Sequence, residues 1–260
     1  MAVFVGDRVY HVRCRSGEVG RYVLMPGDPG RCELIASHFD DAIKVAEHRE
    51  YVTFTGKLDG VTVSVTSTGI GCPSTAIAVE ELRALGCDTF IRVGTSGAMQ
   101  EHIAPGDIII GTAAIRDEGT TLHYMPIEFP AVADITVTQA LIEGAKRCGV
   151  HYHVGIVHSK DSFYGEVEPE RMPVHERLMK RWEAWVKGGA VASEMEAAAL
   201  FIVSSILGAR AGCVLLAAAN VEHSKRTGEF KIIEDVSTLI KVAIAGLRIL
   251  IAWDKEAGRI

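Results

Sequence analysis

The sequence predicts an α/β protein with three layers, α/β/α, around a central mixed, largely parallel sheet. Two observations carry this. Short apolar runs with strand character alternate with longer helix-like segments along the chain. The polar, glycine-rich stretches fall directly after strand-like runs, and open parallel sheets bind ligands at the carboxyl ends of their strands. The composition, 48% hydrophobic against 23% charged over 260 residues, suits one sizeable core, so residues 1–260 are expected to form a single domain.

The elements follow in order. Tyr22 to Met25 is a short apolar strand, ended by the turn Pro26-Gly27-Asp28-Pro29 and followed by a helical stretch from Cys32 to Phe39. Val61, Val63 and Val65 alternate with Thr62, Ser64 and Thr66, the pattern of a half-buried strand. Pro73 to Leu85 is a helix with Pro and Ser at its start. Thr89 to Val93 is a buried strand ending in Gly94, and Ile108 to Ile110 begins another. Ile135 to Arg147 is an amphipathic helix, and His153 to Val157 the next strand. Glu170 to Lys187 and Glu194 to Leu207 are helices, Ala211 to Ala219 a strand, and Ile233 to Trp253 a closing helix.

Composition excludes several classes. A net charge of -6 argues against nucleic acid or an anionic membrane as partner, so anion binding must come from a few placed cations. Cys14, Cys32, Cys72, Cys87, Cys148 and Cys213 are scattered without a CxxC pair, as expected of reduced thiols. No run of roughly 18 apolar residues appears, and charge interrupts the first twenty or so residues too early for a signal peptide, so a cytoplasmic location is expected. Neither a GxSxG elbow, a GxGxxG fingerprint nor an HExxH pair is present.

Three segments carry chemistry. In MPGDPGR, Gly27 lets the backbone approach a ligand, free N–H groups are expected at the helix start, and Arg31 adds a fork of donors suited to phosphate. A turn followed by a surface Arg gives the same pattern. In TFIRVGTSGAM, Arg92 lies inside an apolar strand, where a charge is costly unless it is paired or faces a cavity. The run Gly94-Thr95-Ser96-Gly97 follows, offering hydroxyls and N–H groups, and favours an anion site over a structural ion pair. In ASEMEAAAL, Glu194 and Glu196 bracket Met195 at a helix start. They answer the helix dipole, or one of them accepts hydrogen bonds from vicinal sugar hydroxyls.

PGDPGR, HREY, STGIGCPSTAIAVEEL, RVGTSGAMQ, Gly106-Asp107, FPAVAD, KDSFYG and SEMEAAAL occur in this order. Taken together, the chain resembles the nucleoside phosphorylase family, which includes uridine phosphorylases and hexameric purine nucleoside phosphorylases. LHYMPIEFPAVAD and SFYG look most like the uridine enzymes. The resemblance implies phosphorolysis of a pyrimidine nucleoside, most of all uridine, with inorganic phosphate as co-substrate and no required cofactor. It implies that Gly27, Arg31, Arg92 and Thr95 bind phosphate, joined by Arg49 from a neighbouring subunit. It further implies that His11, also lent across that interface, contacts ribose together with Met195 and Glu196. Arg92, Thr95 and Glu196 would then be the catalytic residues, and Phe163 would pack on the base. Glu50, Ile70 and Ser74 match positions that hold a monovalent cation, potassium, at a dimer interface in some relatives. The family builds homohexamers from such dimers.

The chain departs from this pattern near the base. Glu166 stands where uridine phosphorylases often carry a Gln, and Arg171 is a candidate replacement for a nearby Arg. Three arrangements stay open for Glu166: protonated by burial, ionised with Arg171 or Lys160 as the missing donor, or pointing to solvent. After the last strand, Ala218-Ala219-Asn220-Val221 lacks the Arg of relatives and gives a smaller pocket wall. No Asp lies between Ala211 and Lys231, which weighs against a purine base. A purine nucleoside phosphorylase, a hydrolytic nucleosidase and a non-catalytic nucleoside-binding protein on the same fold are the alternatives.

Overall fold

The computed structural model describes residues 2–229 and 231–260. A short ribbon, β1 (Phe4–Val5) and β2 (Arg8–Val9), precedes β3 (Tyr22–Met25), α1 (Gly30–Ala36), β4 (Asp40–His48), β5 (Tyr51–Leu58), β6 (Val61–Thr66) and α2 (Cys72–Ala84). Then come β7 (Thr89–Ala98), β8 (Ile108–Asp117), β9 (Ala131–Val132), α3 (Ile135–Cys148), β10 (Tyr152–Lys160), α4 (Phe163–Val167) and α5 (His175–Lys187). The chain closes with β11 (Ala192–Glu194), α6 (Ala197–Ile206), β12 (Arg210–Asn220), α7 (Val221–Thr227) and α8 (Ser237–Glu256).

The main sheet runs β11-β10-β8-β12-β7-β3-β6-β5-β4, and β11 also pairs with β7. Strands β7, β12, β8, β10 and β11 therefore close into a ring, and β3, β6, β5 and β4 extend from it as an open flap. Pairing is parallel from β6 through β3 and β7 to β12, and again from β8 through β10 to β11. It is antiparallel where β12 meets β8 and where β11 meets β7.

Side-chain alternation sorts the core. On β12, Val214 and Leu216 join the cluster under α1, α3 and α8, while Cys213, Leu215 and Ala217 face α2 and α6. On β7, Ile91 and Val93 go to the first side and Phe90 to the second. Arg92 has the parity of Phe90, so it points toward the layer that holds the start of α6. Helices cover both faces, as the alternation of segments predicts.

Several expectations need correction. β7 does not end at Gly94. It continues to Ala98, because Leu215, Leu216 and Ala217 of β12 pair with Gly94, Thr95 and Ser96. Glu194 ends a strand rather than opening a helix, and α6 starts at Ala197. The helix after the first strand spans Gly30–Ala36 rather than Cys32 to Phe39. α5 begins only at His175, after Pro173 interrupts the predicted helix. The closing helix begins at Ser237. Among the described residues, no helix is long and apolar enough to cross a membrane.

Candidate active site

Arg92 is buried, and its charge is met by two carboxylates. Nε lies 2.7 Å from Glu194 Oε2 and Nη2 lies 2.5 Å from Glu196 Oε2. Burial works against the guanidinium's charge, but Glu196 and Glu194 outweigh it, so its proton is held more tightly than usual. The Nε–H is nevertheless not aimed at an acceptor, which leaves a buried donor unspent. Gly94 makes room for this arrangement. A Cβ there would lie 2.7 Å from the Arg92 guanidinium carbon.

The two carboxylates have different duties. Glu194 caps α6, accepting from the Glu196 N–H at 2.8 Å and the Ala197 N–H at 2.9 Å, and the Ser159 hydroxyl also donates to it. Glu196 accepts from the Gly71 N–H at 2.5 Å at the start of α2. Burial raises the Glu196 carboxyl above its ordinary range, opposed by Arg92 and reinforced by Glu194. Of the pair, Glu196 is the one less committed to capping.

A cavity of about 670 Å³ collects Gly27, Arg31, Arg92, Thr95, Met195 and Glu196 with Phe163 and Glu166. Ala218, Ala219 and Val221 form its small wall. Asn220, next to that wall, is structural: its amide donates to the carbonyls of Gln100 and Ile103 and its oxygen caps α7. Arg31 is held below its ordinary proton affinity by burial, offset by Asp28 and reinforced by Arg92, so the two guanidiniums feel each other across this space. The free N–H groups expected at the start of α1 are absent. Asp28 takes the N–H of Gly30 through its side chain and that of Arg31 through its carbonyl, and Pro29 takes that of Cys32. Ser96 is likewise committed, its hydroxyl donating to the Leu216 carbonyl at 3.1 Å.

Glu166 does not point to solvent. Lys160 Nζ stands 2.9 Å from its Oε2, the Ser193 hydroxyl donates to the same oxygen, and His158 Nδ1 is 3.6 Å away. Burial pushes the Glu166 carboxyl up, but His158, Lys160 and Ser193 together hold it below the usual carboxylate range. These surroundings favour the ionised arrangement over the protonated one: three polar partners outweigh desolvation. Ser193 is a hub, accepting from Lys160 at 2.8 Å and lying 2.9 Å from His158 Nδ1. His158 Nε2 continues the chain to Asp117 at 3.1 Å. Phe163 stands half out of the fold, 54% exposed, with the Lys160 ammonium 5.9 Å from its ring centre. A larger groove of about 810 Å³ runs along α5 and shares Lys160 and Glu166 as a wall. It contains neither Arg31, Arg92, Thr95 nor Glu196, which line the smaller cavity.

Some predicted residues lie elsewhere. Arg171 is on the surface, paired with Glu168, and does not line the cavity. His11 lies outside the cavity too, its Nδ1 2.7 Å from Glu81 Oε1, with the His48 ring at 3.0 Å from its carbonyl oxygen. Arg49, beside His48, is exposed at the turn between β4 and β5 with φ of 55°. Near the start of α2, Ser74 Oγ approaches the Ile70 and Gly71 carbonyls at 3.4 and 3.2 Å, and Glu50 packs against Gly69. Among the described residues, no group of three His, Cys, Asp or Glu is placed to hold a metal. Sequence reasoning passed over Ser193 and His158. His158 and Lys160 share a strand face two residues apart, the one signal that could have joined them.

The chain is similar to known proteins along most of its length. The sequence profile of the Phosphorylase superfamily matches residues 21–252. The uridine phosphorylase of Treponema pallidum is 48% identical over 252 residues, 97% of this chain and 98% of that protein. The uridine phosphorylase of Thermococcus kodakarensis is 50% identical over 253 residues, covering 96% and 89%. That of Escherichia coli is 42% identical over 251 residues, covering 94% and 98%.

Proposed function

We propose, from the premise that this chain belongs to the phosphorylase superfamily, that it cleaves uridine with inorganic phosphate to give uracil and ribose 1-phosphate. One observation carries the reading. Two guanidiniums, Arg31 and Arg92, meet at a cavity that also holds the Glu196 carboxylate and the Phe163 ring. Phosphate would relieve their mutual repulsion, with Thr95 and the Gly27 backbone beside it. Glu196, with Met195 packing on the sugar, accepts hydrogen bonds from ribose hydroxyls. Phe163 stacks on the base and Glu166 takes its N3–H.

The C1′–N1 bond breaks with its electron pair leaving on the base, and a phosphate oxygen supplies the pair for the new bond to C1′. The residues hold the phosphate oxygen near an oxocarbenium-like sugar, so positioning and charge do the catalysis and no covalent intermediate is needed. Arg49 and His11 reach this cavity from a partner subunit in a dimer, and dimers assemble into a hexamer. A potassium ion held by Glu50, the Ile70 carbonyl and Ser74 belongs to the same interface, and activity that rises with potassium but not with sodium would support it. Given its charge and composition, the protein acts in the cytoplasm on free nucleosides.

The deciding experiment is incubation of uridine with and without phosphate, with separation of the products. Release of uracil should require phosphate and yield ribose 1-phosphate. Equal release in phosphate-free buffer, with free ribose as product, would make the protein a hydrolase instead.

A further inference from the structure

The edge of uracil presents an N3–H between two carbonyl oxygens. An ionised Glu166 can accept that N3–H but can donate nothing to either oxygen, and its charge opposes the negative charge that builds on a departing ring. A donor must therefore come from another residue. Arg171 is excluded by its place on the surface. Among the described residues that line the cavity, the cations are Arg31, Arg92 and Lys160. Only Lys160 contacts Glu166, at 2.9 Å.

Lys160 is built for the task. It is 6% exposed, and an ammonium so deep needs a permanent counter-charge, which Glu166 supplies. Two of its three N–H bonds have acceptors, Glu166 Oε2 and Ser193 Oγ at 2.8 Å. The third is left for a ring lying on Phe163, whose centre is 5.9 Å from Nζ. His158, 3.6 Å from Glu166, and Asp117 beyond it complete the charged groups around the pair.

We infer that Lys160 is a specificity-determining catalytic residue: it donates to a carbonyl oxygen of the base and stabilises the charge that the ring acquires as it leaves. Glu166 accepts N3–H and anchors the ammonium, and Ser193 is a positioning residue that links them. The inference deepens the uridine reading and rests on it. When the C1′–N1 bond breaks, its electron pair spreads over the ring onto the carbonyl oxygens, one of which Lys160 binds. Lys160 keeps its proton, and the uracil anion takes one from water after release.

The test compares uridine with 5-fluorouridine, whose ring bears negative charge more easily. Lys160→Met keeps the length of the side chain and removes the charge. It should lower kcat/KM for uridine about 100-fold, mainly through kcat, and lower that for 5-fluorouridine much less. The double variant Lys160→Met/Glu166→Gln removes both charges and restores an amide donor. It should regain about tenfold on uridine and keep a raised preference for 5-fluorouridine over the wild type. Should Lys160→Met fail to fold, the double variant carries the test alone, because it leaves no unpaired buried charge. Equal losses on the two substrates, or an unchanged substrate ratio in the double variant, would reduce Lys160 to a structural ion-pair partner. Wild-type cleavage of uridine with no loss in either variant would overturn the inference and leave the reaction standing. A wild type that does not cleave uridine would overturn both.

Discussion

At the residue scale, Arg92 is held in a state that suits exchange of partners. Its charge sits between Glu194 and Glu196, one of which is fully used as a helix cap. An arriving phosphate can share the guanidinium without stripping it of counter-charge. Arg92→Ala should raise KM for phosphate and lower kcat, costing roughly 2–4 kcal/mol or about 30- to 1000-fold in kcat/KM. Steady-state kinetics with phosphate varied would show it, and near-normal phosphate kinetics would return Arg92 to a purely structural role. Its importance was legible in the sequence because a charge in an apolar strand demands a reason. The sequence left open two readings, structural pair and anion site; the structure shows the ion pairs with Glu194 and Glu196 and puts them in the cavity wall. Glu166 was harder. Whether a buried carboxyl is ionised depends on what surrounds it, and its partners Lys160, Ser193 and His158 come from two strands that only the fold brings together.

At the scale of elements, the same network fastens α4 and α5 to the sheet. Glu166 on α4 meets His158 and Lys160 on β10, and Asp117 at the end of β8 pairs with both His158 and Arg181 on α5. α5 is otherwise lightly attached, with Trp182 its one buried residue. Burial disfavours the His158 imidazolium, but Asp117 and Glu166 outweigh it and raise its proton affinity above the ordinary 6.5. That contribution to stability is complete below pH 6.5 and is lost as pH rises through the higher folded value. Glu166 has the opposite sign. Its contribution is present above its ordinary value of 4.5 and is lost as pH falls through the lowered folded value. Thermal unfolding followed across pH should show wild type losing stability on the alkaline side of 6.5 more steeply than His158→Gln. On the acid side of 4.5 it should lose more than Glu166→Gln. Parallel profiles for all three proteins would show that the network contributes nothing through its charges. Periodicity found the strands that are buried on both faces, since continuous apolar runs mark them. It missed the β4–β5 hairpin, where β4 is exposed along most of its length and carries Asp40, Asp41, Lys44 and Glu47. An edge strand with little burial leaves no alternating pattern to read.

At the scale of the whole molecule, the cavity lacks two of the residues that the resemblance assigns to it. Arg49 and His11 lie together outside it, joined through His48 at the end of the edge strand β4. His11 is fixed firmly, its ring on Glu81 and its backbone N–H on the same carboxylate at 2.9 and 3.0 Å. A group held so rigidly on a surface does not swing into its own subunit's cavity, but it can be presented to another's. A twofold pair built on this edge would give each cavity an Arg49 and a His11 from its neighbour, and would cover an edge that otherwise stays open to other chains. The consequence is measurable by mixing. Arg49→Ala and Arg92→Ala proteins should each be nearly inactive alone. After subunit exchange, a hybrid dimer holds one cavity with both arginines intact and one with neither. Random exchange of equal amounts should therefore recover about a quarter of wild-type activity. The recovered fraction should depend on the mixing ratio and peak at equality, because only hybrids contribute. If mass spectrometry shows hybrids and activity stays at the level of the parents, both arginines serve the cavity of their own subunit, and Arg49 must reach it by a movement of the β4–β5 turn.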